Sequence, residues 1–324
     1  MADEQVLDVI IVGGGAAGLT AGIFATRRGL STLIISQDIG GQAATTPHIE
    51  NYPGMGMIHG RDLSTLFREQ AEKFGAVVKI DEVRKVEKAD DEFFHVLTAR
   101  NQFTARAVIL AYGLSHKHMN VPGEDALIGH GVSYSAYADA EKFRGKTVAV
   151  VGGGNSAMDS ALLLSNVAAK VYLICLGECP VGEATLAQKV VAAETVELTP
   201  FSNVLEIVGD EMVKEIVVAR ADDPTKVQRL AVDGVFPEIG YVVKPDLVKG
   251  LLELDKRNQI VISKDCETSV PGIFAAGDVT TISFKQVVVS AGEGAKAALK
   301  AFEYIQKSQG KPAVFIDWGA KKKL

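Results

Sequence analysis

Two glycine runs have residue types and spacing suited to one chemistry, the holding of a phosphate. The first is Gly13-Gly14-Gly15-Ala16-Ala17-Gly18 and the second is Gly152-Gly153-Gly154-Asn155-Ser156-Ala157. In such a turn the first glycine permits the tight bend. The second lets backbone approach a pyrophosphate, and the third position lets a helix pack closely on a strand. The phosphates then meet free N–H groups at the positive end of the helix. The spacing alone is a weak signal and gains meaning only where a strand precedes it and a helix follows.

Both runs have that setting. Val6 to Val12 is a short apolar run, followed by the first glycines, a helix-like stretch to about Arg28 and a strand pattern at Leu33 to Ile35. The second copy begins at Thr147 to Val151 and continues with a helix to about Ala169 and a strand from Val171 to Cys175. These are two β-α-β units. Val121-Pro122-Gly123 and Val243-Lys244-Pro245 interrupt the pattern on either side of the second unit. Strand-like runs resume at Gln259 to Ile262 and Gly272 to Ala276. The expected fold is therefore α/β, with two Rossmann-like, three-layer nucleotide-binding domains, the second inserted into the first. Residues 1–118 and 246–324 would form the outer domain and 119–245 the inserted one. The tail from Gln306 is mostly polar, and its end, Lys321-Lys322-Lys323-Leu324, is expected to be solvated.

Composition narrows the function. The chain has 324 residues, 47% apolar and 23% charged, with a formal net charge of -6. Two domains fit that length. An acidic balance argues against nucleic acid as a partner, which would call for a basic face. No run is long and apolar enough to span a bilayer, and the acidic start Met1-Ala2-Asp3-Glu4-Gln5 does not look like a secretory signal. Three cysteines, Cys175, Cys179 and Cys266, are too few for a secreted disulfide framework. The cytoplasm is the expected compartment.

Further segments add to the first glycine run: Gly40-Gly41-Gln42, Glu50-Asn51-Tyr52-Pro53-Gly54 and Gly272-Ile273-Phe274-Ala275-Ala276-Gly277-Asp278-Val279. In order and spacing, over almost the whole chain, they resemble the low-molecular-weight thioredoxin reductase family. The resemblance implies an FAD-dependent oxidoreductase, a homodimer, with FAD in the outer domain. It implies that Gly13, Gly15, Ala16, Ala17 and Gly18 cradle the pyrophosphate and that Asp278, after Gly277, accepts a hydrogen bond from the ribityl chain. Gln42, Asn51, Lys285, Gln286 and Val287 would lie near the isoalloxazine ring, with Gly40 and Gly41 beside them. Lys285 keeps a positive charge where the family more often has arginine, and a cation there favours the anionic reduced flavin. Asp38, after Gln37, is a candidate for the adenosine ribose, although a loop aspartate is more often a turn former. Ala111-Tyr112-Gly113 resembles the family's small-Thr-Gly strand end, with a bulkier tyrosine in the middle.

Two departures bear on the chemistry. After the strand that follows the second glycine run, the family carries a cluster of arginines for the extra phosphate of NADP(H). Here the residues are Cys175-Leu176-Gly177-Glu178-Cys179-Pro180-Val181, with no cation, so a selective NADP(H) site is not expected. Glu178 is an acid of the kind that binds NAD ribose but stands about three residues late, and weak NADH use remains the alternative. The family's Cys-x-x-Cys-Asp corresponds to Ser135-Ala136-Tyr137-Ala138-Asp139. The redox-loop positions Ser135, Ala138 and Asp139 therefore carry no cysteine, and electron transfer from flavin to a dithiol in this loop is excluded. A natural loss and a deliberate replacement both fit that pattern.

The function expected is electron transfer through FAD, with a thioredoxin-like disulfide protein as the parent family's acceptor and ferredoxin as a donor. A ferredoxin reductase or oxidase without dithiol chemistry is one rival, and a flavin-binding regulatory protein without turnover is another. Cys175 and Cys179 are read as a strand-end core thiol and a loop thiol, and Cys266 as a surface thiol. His116 and His118 form an HxH pair with no acid cluster, so no metal is assigned. Trp318, the only tryptophan, lies in an apolar patch of the polar tail. It is expected either to stack on the flavin or to pack on the dimer surface away from it.

Overall fold

The computed structural model describes residues 6–46, 48–89 and 93–312. The elements run β1 (Leu7–Val12), α1 (Ala16–Arg27), β2 (Thr32–Ser36), α2 (Gly41–Ala44), α3 (Gly60–Lys73), β3 (Val77–Ile80), β4 (Val83–Lys88), β5 (Phe94–Thr98) and β6 (Gln102–Leu110). Then follow β7 (Ser115–His116), α4 (Ala136–Asp139), β8 (Thr147–Val151), α5 (Asn155–Ser165), β9 (Lys170–Ile174), α6 (Ala184–Ala192), β10 (Val196–Thr199), β11 (Ser202–Gly209), β12 (Val213–Arg220), β13 (Val227–Ala231), β14 (Gly234–Pro237) and β15 (Tyr241–Val242). β16 (Ile273–Ala275) and α7 (Val287–Ser308) complete the order.

The chain divides into two compact units. One comprises the residues up to Leu114 together with those from Val243 onward, and the other is Ser115–Val242. In the first unit a seven-stranded sheet has the order β3-β2-β1-β6-β5-β4, and β16 also pairs with β6. Strands β2, β1, β6 and β16 are parallel, in register Val12↔Leu110 and Ala275↔Leu110. Central parallel strands are covered on both faces, so they are continuously apolar. Val9, Ile10 and Ile11 of β1 and Val108, Ile109 and Leu110 of β6 are accordingly buried.

Helices α1 and α7 pack through small residues. Ala17, Ala21 and Ala25 share a core with Ala297, Ala298 and Ala301. At Gly294 a Cβ would lie 2.0 Å from the Ala17 carbonyl oxygen, so the two backbones can approach only because no side chain is there.

The second unit repeats the scheme with four parallel strands, β10-β9-β8-β14, and adds the antiparallel meander β11-β12-β13. Three local expectations are corrected. Gln259 to Ile262 is not a strand. Ile260 makes single bridges to Leu254 and Thr280, and turns at Asn258 and Cys266, both with positive φ, leave no length for more. Helix α5 ends at Ser165, short of Ala169, because the Ala169 N–H turns away to Lys146 O at 2.8 Å. Gln306 begins no tail, since it lies inside α7.

Candidate active site

At the first glycine run β1 ends and α1 begins, with Gly15 as the helix N-cap. Gly13 has φ +114°, and a Cβ there would lie 2.3 Å from Ala111 O. A Cβ at Gly18 would lie 1.9 Å from Gly13 O, whereas one at Gly15 would meet nothing closer than Gly40 O at 3.9 Å. Two glycines are thus required for packing, and the middle one leaves open space at the N-terminus of α1. The second glycine pair is tied to this loop, for Gly40 N donates to Gly14 O at 2.7 Å. Asp38 Oδ1 accepts from Gly41 N at 3.0 Å, the turn-forming role. Gln37 precedes it and is exposed.

The strand end after β16 reaches the same place. Gly277 has φ +78°, and a Cβ on it would lie 3.0 Å from the Cβ of Ala17 in the first turn of α1. This contact places Asp278 beside the glycine loop. Ser290 Oγ donates to Asp278 Oδ1 at 2.9 Å, and Oδ2 remains as an acceptor. Buried Glu293 holds the turn from behind, accepting from Gly277 N at 3.1 Å and from Thr280 Oγ1 at 3.5 Å.

Asn51 Nδ2 donates to Gln286 Oε1 at 3.0 Å, joining two distant segments at the start of α7. Gln42 Nε2 donates to Leu114 O at 3.1 Å. Lys285, just before Gln286 and Val287, donates to Thr280 O at 2.6 Å. Burial pulls its ammonium below the usual lysine range, while Asp278 and Glu293 oppose that shift. A lysine and a helix N-terminus therefore share one small region, both favouring negative charge. Tyr112 lies under the loop, its Cα 2.8 Å from where a Gly13 Cβ would be. Among the described residues its hydroxyl is the single buried side-chain polar atom without a protein partner. Burial, with Asp246 nearby, pushes this phenol well above its ordinary range.

The second glycine loop has the same backbone form and different surroundings. Gly152 has φ +143°, and a Cβ there would lie 2.2 Å from Glu238 O. Glu238 accepts from Ser160 Oγ at 2.6 Å. Burial raises its carboxyl above the ordinary range; Ser160 opposes and neighbouring Asp159 adds to the rise. Burial raises Asp159 as well, and Glu183 adds to it. The segment after β9 folds onto the loop, with Val181 N donating to Gly153 O at 2.8 Å and Glu183 N to Asn155 Oδ1 at 2.9 Å. Leu176 and Val181, where a phosphate clamp would stand, are exposed apolar side chains.

The family described as pyridine nucleotide-disulphide oxidoreductases matches residues 7–294. The thioredoxin reductase of Treponema pallidum is 40% identical over 315 residues, which cover 94% of this chain and 99% of that protein. This chain belongs to the family. An alkyl hydroperoxide reductase component from Pseudomonas putida is 34% identical over 93% of the chain, but the chain spans only 59% of that relative's length. Among solved structures, the thioredoxin reductase of Lactococcus lactis matches with a TM-score of 0.84 and 30% identity, covering 93% of this chain and 99% of that one. A ferredoxin-flavin thioredoxin reductase from Clostridium acetobutylicum matches with a TM-score of 0.54 and 29% identity, covering 95% and 100%.

The chain is thus a flavoprotein oxidoreductase of the thioredoxin reductase type, whose cofactor is FAD. The first unit fits that cofactor. The Gly15 opening at the N-terminus of α1 suits a pyrophosphate, Asp278 Oδ2 suits a ribityl hydroxyl, and the orphaned Tyr112 hydroxyl stands under the same loop. Gly113, with φ +67°, follows Tyr112. When bound, FAD supplies the two-electron chemistry. Asp278 and the glycine loop would position it, and Lys285 with the start of α7 would favour negative charge on it.

The segment that resembles the family's redox loop is engaged in structure. Ser135 is the N-cap of α4, its hydroxyl accepting from Ala138 N at 3.3 Å. Asp139 accepts from Ser133 Oγ at 2.7 Å and pairs with Lys142 at 2.7 Å. Burial opposes its charge, but Lys142 and Ser133 outweigh this and hold its carboxyl below the ordinary range. It is a fixed carboxylate and not a proton donor near neutral pH.

Two cysteine expectations are overturned. Cys175 and Cys179 form a disulfide, because the loop after β9 doubles back and brings their Cα atoms to 5.8 Å. Cys266 is fully buried beneath α7, its Sγ 3.6 Å from Glu293 O, since the turn at 263–266 points it inward. Glu293 and Glu238 were missed from sequence. Each lies in an apolar or helical stretch with no motif around it, and only the fold brings it to a glycine turn. Trp318 lies outside the described residues.

Proposed function

We propose that electrons enter the FAD of this chain from a one-electron protein donor of the ferredoxin type and not from NADPH. The observation that carries this is the makeup of the second glycine loop. Leu176, Gly177 and Val181 offer nothing to a ribose phosphate, Glu178 adds an acid to the same segment, and the carboxyls of Asp159, Glu183 and Glu238 interact with one another beside the loop. A phosphate dianion in that setting gains no ion pair and meets like charge. The likeness to a ferredoxin-flavin thioredoxin reductase supports the same donor class.

In the parent family the acceptor is a protein disulfide, reached through a dithiol. With Ser135 as a helix cap and Ala138 lacking any heteroatom, this loop takes no part in electron transfer, and the reduced FAD serves its acceptor by another route. Glu178 keeps weak NADH use as the second reading. The test is anaerobic reduction of the holoprotein with NADPH, NADH and chemically reduced ferredoxin in turn, followed by the visible absorbance of the flavin. Ferredoxin should bleach it within the mixing time of a manual assay and NADPH should leave it oxidised. Rapid bleaching by micromolar NADPH would overturn the proposal.

A further inference from the structure

The proposed electron path makes no use of the Cys175–Cys179 disulfide. We infer that this bond is a thiol-exchange site for dithiols, with Cys179 as the attacked sulfur and Cys175 as the leaving one.

The two sulfurs are not equivalent. Cys175 is 2% exposed, while Cys179 is half-buried in a loop whose Leu176, Gly177 and Glu178 are all exposed. An incoming thiolate therefore reaches Cys179 first. The Cys175 sulfur lies against the second glycine loop, 3.2 Å from where a Gly153 Cβ would be, at the N-terminal end of α5. Gly152 O, 3.3 Å from that sulfur, can accept the thiol's hydrogen bond after protonation.

A purely structural purpose is poorly served by this bond. A disulfide stabilises by closing a loop in the unfolded chain, and the gain falls as the loop shortens. This one encloses only Leu176, Gly177 and Glu178. The same segment is already held by Ser202 N to Cys175 O at 2.8 Å, Phe201 N to Gly177 O at 2.9 Å and Val181 N to Gly153 O at 2.8 Å.

The exchange balances. A thiolate of the dithiol attacks Cys179 Sγ, the S–S bond breaks, and Cys175 departs with the bonding pair and takes a proton from water. The second thiol of the dithiol, deprotonated, attacks its own sulfur in the mixed disulfide and releases Cys179 as a thiolate, which is then protonated. The dithiol is oxidised to a disulfide, and the protein gains two electrons and two protons.

The experiment uses the oxidised holoprotein and dithiothreitol, without denaturant, nucleotide or ferredoxin. After removal of the reductant under argon, thiols are counted with 5,5′-dithiobis(2-nitrobenzoate). Two new thiols should appear while the flavin spectrum and far-UV circular dichroism stay unchanged. Cys266 gives little background, because burial pushes its thiol up to about 12. Thiols that appear only after denaturation would overturn the inference. In single variants, Cys179 of Cys175→Ser should react with the same reagent at least about tenfold faster than Cys175 of Cys179→Ser. Equal rates, or the reverse order, would overturn the assigned direction. Neither readout depends on the flavin's electron donor, so failure here leaves the proposed function standing, and the reverse also holds.

Discussion

The two glycine loops of this chain have nearly the same backbone and very different neighbours. Both open with a glycine at positive φ that has carbonyl oxygen where a side chain would be, and both lead into a helix with a glycine N-cap. Around the first stand Asp278, Lys285 and the start of α7, which offer a carboxylate acceptor, a cation and a helix N-terminus. Around the second stand Glu238, Asp159 and Glu183, and the segment after β9 is bonded to the loop itself. The loop geometry makes a phosphate cradle possible. The side chains that converge on it from elsewhere decide whether a given nucleotide is selected.

The comparison breaks most visibly at the third position of each motif, which is Gly18 in one and the buried Ala157 in the other. Gly18→Ala would put a methyl 1.9 Å from Gly13 O, so helix and strand must part. The expected result is a chain that purifies colourless and is destabilised by about 3 kcal/mol or more, read from flavin content and thermal melting. Asp278→Ala removes the acceptor proposed for a ribityl hydroxyl but leaves the cradle, so FAD affinity should fall by about 1–3 kcal/mol with the fold kept. Fluorescence titration of the apoprotein with FAD measures this loss.

Smaller effects are expected at the second loop. Leu176→Arg with Gly177→Arg restores cations but not their setting. NADPH affinity should rise less than about tenfold, because exposed ion pairs are worth ~1 kcal/mol or less; calorimetric titration decides it. Glu238 gives the smallest change. Its carboxyl in the folded chain holds a proton above its ordinary value of 4.5, so the folded form binds more protons than the unfolded one in that window. Stability should therefore fall as pH rises through it. Glu238→Gln should flatten this slope and add on the order of 1 kcal/mol at neutral pH, measured by urea unfolding across pH.

Much of this was legible in the sequence where chemistry is local. Gly13 to Gly18 and Gly152 to Ala157 declare themselves by spacing, and β1, β8 and β16 by apolar runs next to them. The missing cations at 176, 177 and 181 are equally plain. Contacts made by distant segments were not legible. Nothing near Glu293 or Glu238 announces that each will back a glycine turn, since their partners Gly277 and Ser160 are 16 and 78 residues away. The Cys175–Cys179 bond was hidden for a similar reason, because a CxxxC spacing fits a disulfide only if the loop doubles back, and backbone hydrogen bonds from Phe201 and Ser202 and to Gly153 hold it that way. Cys266 looked exposed because its neighbours are polar, yet a positive-φ turn directs it into the core.

The identity of the electron donor turns on whether the second loop selects a ribose phosphate. The direct measurement is the equilibrium affinity of the oxidised holoprotein for NADPH and for NADH under identical salt, by isothermal titration. NADPH should bind no more tightly than NADH. Binding of NADPH about 100-fold tighter, roughly 2.7 kcal/mol of phosphate recognition, would contradict a loop without a phosphate clamp.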